Sequence, residues 1–288
     1  MQALIQKALN ENKSIAETAF EFEMEKHGRT RQEIFGEMLR RILIMRQAAL
    51  RGVSEEITTK SGLVRGNAKK FYSSTQGKTT ILGPTLRKAV AYSLAVAEVN
   101  SAMGLVVAAP TAGSCGILPG AMLALNEEID SNKEKLVNGF MTASGIGLVI
   151  AQRATFAASV AGCAAEIGAS ASMAAGAITE FFGGTPKQAL NASAISLKST
   201  IGLACDPVGG LVEVPCNKRN AIGVANSFTA AELALSGVES AIPFEEVVDA
   251  MYRIGKRLPP ELRETGKGGL ATTPTGLRII QVVNSCAP

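Results

Sequence analysis

FMTASGIGLVIAQRATFAASVAGCAAEIGASASMAAGA, residues Phe140 to Ala177, decides the fold. Ala, Gly and Ser stud this run on every helical face, and Arg153 and Glu166 are its only charged residues. A helix that is apolar or small all round is buried all round. No stretch of comparable length alternates as a half-buried strand does. The fold class is therefore all-α, a multi-helix bundle of tightly packed, small-residue-rich helices with Gly/Pro-rich loops between them.

Upstream, Ser14 caps a predicted helix from Ile15 to Lys26. Thr30 caps a longer one, in which Ile34, Met38, Ile42, Met45 and Ala49 recur at helical spacing. Residues 1–56 thus read as outer amphipathic helices. Further helices are predicted over Thr85 to Met103, Leu118 to Glu128, Ser131 to Phe156, Val160 to Phe182, Thr185 to Leu203, Asn217 to Ser236 and Phe244 to Arg257. Thr185-Pro186 forms a cap and first turn, and Gly183-Gly184 closes the helix before it. One domain over residues 1–288 is expected, with 277–288 as a flexible tail.

The chain has 288 residues, ample for a large core; 47% are hydrophobic, but only 5% are aromatic and Trp is absent. Ala, Gly, Val, Leu, Ile and Met must fill that core. The net charge of +4 is scattered, with basic runs no longer than Lys69-Lys70, Arg40-Arg41 and Lys218-Arg219, so no nucleic-acid partner is expected. Val99 to Asn126 lacks charge and is long enough to span a bilayer, but Pro110, Gly113, Gly116, Pro119 and Gly120 break it. No membrane role is expected. MQALIQKALNENKS has no signal-peptide pattern, which points to a cytoplasmic protein whose five cysteines stay reduced.

Cys205 to Cys216 reads CDPVGGLVEVPC, a turn set by proline restriction and glycine freedom. With Cys163 it offers three soft thiolates, the number that holds an iron-sulfur cluster with one iron left open. Three buried thiols without metal, or a zinc site completed by Cys115 or Cys286, are the alternatives from cysteine count alone. The single histidine, His27, lies at the polar end of a charged helix and reads as solvent-facing. Three further stretches are rich in Gly, Ser and Thr: residues 57–84, APTAGSCGILPG (Ala109 to Gly120) and RETGKGGLATTPTG (Arg263 to Gly276). Such backbones form anion nests, or simply turn the chain between helices.

AEVNSAMG (Ala97 to Gly104), APTAGSCGILPG, AGCAAEIGASASMAAGA, LACDPVGGLVEVPCNKRNA and ELRETGKGGLATTPTG together resemble the α chain of iron-sulfur-dependent L-serine dehydratases, over about Glu33 to Gly276. The resemblance implies an all-helical catalytic domain with a [4Fe-4S] cluster on Cys163, Cys205 and Cys216, and no pyridoxal phosphate. It implies conversion of L-serine to pyruvate and ammonia. Near the open iron, Thr59, Lys60, Ser61 and Gly62, together with Thr111, Gly113 and Ser114, are candidates to hold the small amino-acid substrate. Residues 265–269 are a further candidate loop, and Lys60, Lys198 and Lys267 are candidate charge partners.

Single-chain relatives carry a Ser-Ser-His-Thr motif that this sequence lacks, so the catalytic base is expected on a separate β chain in a heterodimer. The isolated chain should then be weakly active or inactive. Cys286 has two readings, a tail ligand to the cluster or a bystander thiol. A cysteine desulfidase or related β-eliminating lyase with the same cluster is one alternative function. A non-catalytic, metal-bound helical module that binds a partner is another.

Overall fold

Ser14 Oγ accepts the Glu17 N–H at 3.1 Å, and Thr30 exchanges hydrogen bonds with Glu33 in a capping box. Thr185 and Gln188 form a second such box. These starts fix three helices where the sequence predicts them. The computed structural model describes residues 2–74 and 80–285. In chain order its helices are α1 (Gln2–Glu11), α2 (Ile15–His27), α3 (Arg31–Ser54), α4 (Asn67–Ser73), α5 (Gly83–Ser101), α6 (Ile117–Glu128) and α7 (Lys133–Arg153). They continue as α8 (Ala158–Ala161), α9 (Ala169–Phe181), α10 (Pro186–Lys198), α11 (Cys216–Leu235), α12 (Phe244–Arg257) and α13 (Pro274–Ser285). Among the described residues there is no strand, only isolated bridges at Thr58 with Arg65 and Cys205 with Arg263. The all-α expectation therefore holds.

Helix α9 is the centre, packed by α6, α7, α10 and α11, and every residue from Ala169 to Thr179 is buried. Its small side chains set those distances: a Cβ added at Gly176 would collide with Ile146 of α7 and Ser193 of α10. Its buried hydroxyls are satisfied, with Ser170 Oγ donating to the Ala109 carbonyl at 2.7 Å and Ser172 Oγ to that of Ser193 at 2.9 Å. Helix α5 packs on α6 and α11 and backs onto α3 and α4, while α2 covers α7. No described helix is long and apolar enough to cross a membrane.

Three places differ from the periodicity, and α1 falls within the predicted outer helices of residues 1–56. The helix predicted from Val160 to Phe182 breaks at Gly162 (φ 71°), and Ala164–Gly168 winds as a π-helical turn before α9. Helix α1 forms because Leu4, Ile5 and Ala8 are buried against the body of the protein. Helix α4 lies inside the polar 57–84 stretch, its first amides accepted by the buried Glu98 carboxylate. The segment from residue 277, expected as a flexible tail, is helical as part of α13 through Ser285, which packs against the turns at Val208–Gly210 and Gly269–Thr272. Cys286 lies outside the described residues.

At the far end of α9, Glu180 Oε1 accepts the Ile15 N–H at 2.7 Å and Oε2 the Thr142 hydroxyl at 2.6 Å. Burial nonetheless raises its pKa above the ordinary 4.5. The folded state thus favours the protonated acid, so this group's contribution to stability is full below pH 4.5 and is lost as pH rises through the raised value. Glu180→Gln should therefore gain stability relative to wild type as pH rises from 4.5. Urea unfolding at a series of pH values checks this; a constant difference would contradict it.

Candidate metal and substrate site

The Gly162 break turns the chain so that Cys163 opens the π-helical turn. Cys205 sits on a short parallel bridge, donating its N–H to Leu262 O and accepting the Glu264 N–H, both at 2.8 Å. Cys216 is the first residue of α11, after a loop in which Gly209 and Gly210 take φ of 67° and 69°. All three cysteines are buried and none is in a disulfide. The Cys163 and Cys205 sulfurs and a Glu166 carboxylate oxygen lie within 4.8 Å of one another. Cys216 stands outside that trio, buried at the other end of the loop that begins at Cys205.

The Cys205 thiol hydrogen-bonds Cys163 and, with the charge of Arg219, holds Cys163 below the usual thiol range against the cost of burial. Cys205 is driven upward by that hydrogen bond and by its own burial. Burial pushes Cys216 up to about 12. Arg219 donates to Cys163 Sγ at 3.5 Å and to the Ala204 carbonyl at 2.9 Å, and it pairs with Asp206 Oδ1 at 2.9 Å. Asp206 Oδ2 in turn accepts the Leu270 N–H at 2.8 Å.

The three Gly-rich stretches meet the segments that carry the cysteines. Thr111 donates to Glu166 Oε1 and lies 2.9 Å from Ser114 Oγ. Gly113 faces the same carboxylate. Thr59 and Ser61 each donate to Glu213 Oε2 at 2.7 Å, which ties the 59–62 loop to the cysteine turn. Gly62 takes φ 71° in that loop, and Lys60 is exposed on it. The third stretch approaches through Leu270 and through Gly266, which packs on Pro207 and Gly210. Asn220 links two elements, donating to Gly113 O at 2.7 Å and accepting the Gly116 N–H at 3.0 Å.

Other candidates lie apart. Lys198 is committed to Ser240 at 2.9 Å and Lys267 is exposed. Cys115 is buried, its pKa raised to about 12 by burial, and it is not in the metal-capable trio. His27 is half exposed and faces Glu23 at 3.7 Å. Sequence reasoning missed Glu166, Asp206, Glu213, Arg219 and Asn220 as site residues. For Glu166 a signal existed, because a carboxylate in an otherwise small and apolar helical run needs a partner or a purpose.

The donor set fits a thiolate-held metal group: soft sulfur predominates, and among the described residues no histidine joins it, as a mixed zinc site would prefer. A second observation agrees. Asn217 Nδ2, buried beside Cys216, has no hydrogen-bond partner among the described residues, an orphaned donor of the kind that sulfur-rich groups accept from.

The family described as "Serine dehydratase alpha chain" matches residues 10–271. A probable L-serine dehydratase alpha chain from Bacillus subtilis is 46% identical over 254 residues, covering 88% of this chain and 84% of that protein. The L-serine dehydratase alpha chain of Peptoniphilus asaccharolyticus is 43% identical over 265 residues, covering 92% and 91%. The L-serine dehydratase TdcG of Escherichia coli is 40% identical over 183 residues, covering 62% of this chain but only 40% of that longer protein.

Proposed function

This chain belongs to the serine dehydratase alpha-chain family, and from that premise we propose that it is the cluster-bearing subunit of an L-serine dehydratase. The observation that carries the cofactor part is the meeting of the buried Cys163 and Cys205 thiols, from separate segments, with the buried Cys216 closing the same loop that Cys205 opens. These three cysteines would hold a [4Fe-4S] cluster. When bound, it supplies an iron without a protein ligand, a Lewis acid that polarises the substrate's β-hydroxyl.

L-Serine loses its α-proton and its hydroxyl as water, leaving aminoacrylate, which tautomerises to the imine and hydrolyses to pyruvate and ammonia. The chain's own residues bind and orient for this reaction. Thr111 and Ser114 place their hydroxyls on the loop against Glu166, whose carboxylate lies near the thiols. Thr59 and Ser61, locked to Glu213, hold their loop against the cysteine turn. Arg219, fixed by Asp206, offsets thiolate charge. The α-proton needs a base. His27, half exposed at the end of α2 beside Glu23, is a poor one, so the base is assigned to a partner β chain, in keeping with the alpha-chain names of the relatives and the greater length of the Escherichia coli protein. Neither a desulfidase nor a non-catalytic module is favoured by those names.

The test is anaerobic purification with and without a β chain, measuring iron, sulfide and pyruvate formed from L-serine. Pyruvate is expected from the iron-loaded complex and little or none from the lone chain. Full activity of the lone chain would remove the partner assignment, and an iron-loaded complex that acts on L-cysteine but not L-serine would reassign the substrate.

A further inference from the structure

Glu166 occupies a place that its surroundings do not account for. It lies on the π-helical turn Ala164–Gly168 and points at the 111–114 loop, where a side chain at Gly113 would put its Cβ 2.6 Å from Oε1 and 2.9 Å from Oε2. The absence of that side chain makes room for the carboxylate. Oε1 accepts from Thr111; no hydrogen bond or salt bridge to Oε2 occurs among the described residues. Arg219, the cation at the cysteines, is spent on Asp206, Ala204 and Cys163. Burial, and to a lesser degree the charge of another carboxylate, Glu264, raise the Glu166 pKa. The remaining oxygen, Oε2, is not among the buried atoms left without a partner, so it is open to solvent and to an incoming cation.

We infer that Glu166 is the subsite for the substrate's ammonium group, with Thr111 holding one carboxylate oxygen so that the other faces the incoming cation. This rests on the reading of L-serine as substrate. An amino acid carries one cation, and its hydroxyl must reach the metal group at Cys163 and Cys205, whose sulfurs lie within 4.8 Å of the Glu166 oxygen. A carboxylate at that distance positions the ammonium beside the reacting carbons. It also selects amino acids over hydroxy acids.

The test uses the iron-loaded complex with its β chain and two ligands, L-serine and 3-hydroxypropanoate, which keeps the carboxylate and hydroxyl but lacks the ammonium. Glu166→Gln should raise KM for L-serine about 10- to 100-fold, the loss of one charge-assisted contact, while Ki for 3-hydroxypropanoate changes less than about 2-fold. Iron content should be unchanged. Gly113→Ala, which displaces the carboxylate without removing it, should reproduce the selective rise in KM and decides the matter if the glutamine variant does not assemble. An unchanged KM, or KM and Ki rising together, would overturn the assignment. Loss of iron in Glu166→Gln would instead make Glu166 a metal ligand. Absence of pyruvate from wild type with L-serine would fail the functional reading itself, separately from these outcomes.

Discussion

Cys205→Ala is expected to strip most of the iron from the anaerobically reconstituted protein and to lower activity with L-serine by more than about 100-fold, beyond what loss of an outer-sphere partner causes. Cys205 is 3% exposed, and alanine fills a similar apolar space, so the fold should survive. Its backbone contacts to Leu262 and Glu264 do not involve the side chain and remain. The loss should therefore appear as iron and sulfide content, with the helical circular dichroism retained. Iron content equal to wild type would remove Cys205 from the ligand set.

Arg219→Met should destabilise the apo-protein by about 3 kcal/mol, because it removes one partner of a mostly buried ion pair and leaves the other behind. The Arg219 and Asp206 side chains are 18% and 8% exposed, so solvent screens the pair only weakly. In thermal unfolding this corresponds to a fall of about 5 °C in Tm for a chain of this size. Arg219→Met should also weaken iron retention, since the guanidinium no longer offsets the charge at Cys163. A Tm within about 2 °C of wild type would show that solvent or another group replaces Arg219.

The helical class was legible because its cause is local. Small residues on all faces of residues 140–177 can be satisfied only by burial, and α9 is buried along nearly its whole length. Caps were equally plain, since Ser14, Thr30 and Thr185 act through residues three positions away. What periodicity hid was the break at Gly162, because a glycine in an Ala-rich run keeps the helical pattern while permitting a positive φ. Helices α4 and α13 escaped because their support is tertiary: the Glu98 carboxylate and the 208–210 turn.

For the site, the cysteines and glycine-rich loops stood out by composition. The charged residues that join them did not. Glu166 meets Thr111 from 55 positions away, Asp206 meets Leu270 from 64, and Arg219 meets Cys163 from 56. Glu213 lies within the cysteine turn itself, yet its link to Thr59 and Ser61 crosses more than 150 residues. Spacing along the chain carries no signal for such pairs.

The central claim is that three thiolates of this chain hold an iron-sulfur cluster and leave one iron for substrate. Mössbauer spectroscopy of the iron-57-loaded complex, recorded with and without L-serine, tests it most directly. A single iron whose isomer shift and quadrupole splitting change on adding L-serine is the predicted result. A cluster with all its irons ligated by cysteine and no response to L-serine would contradict it.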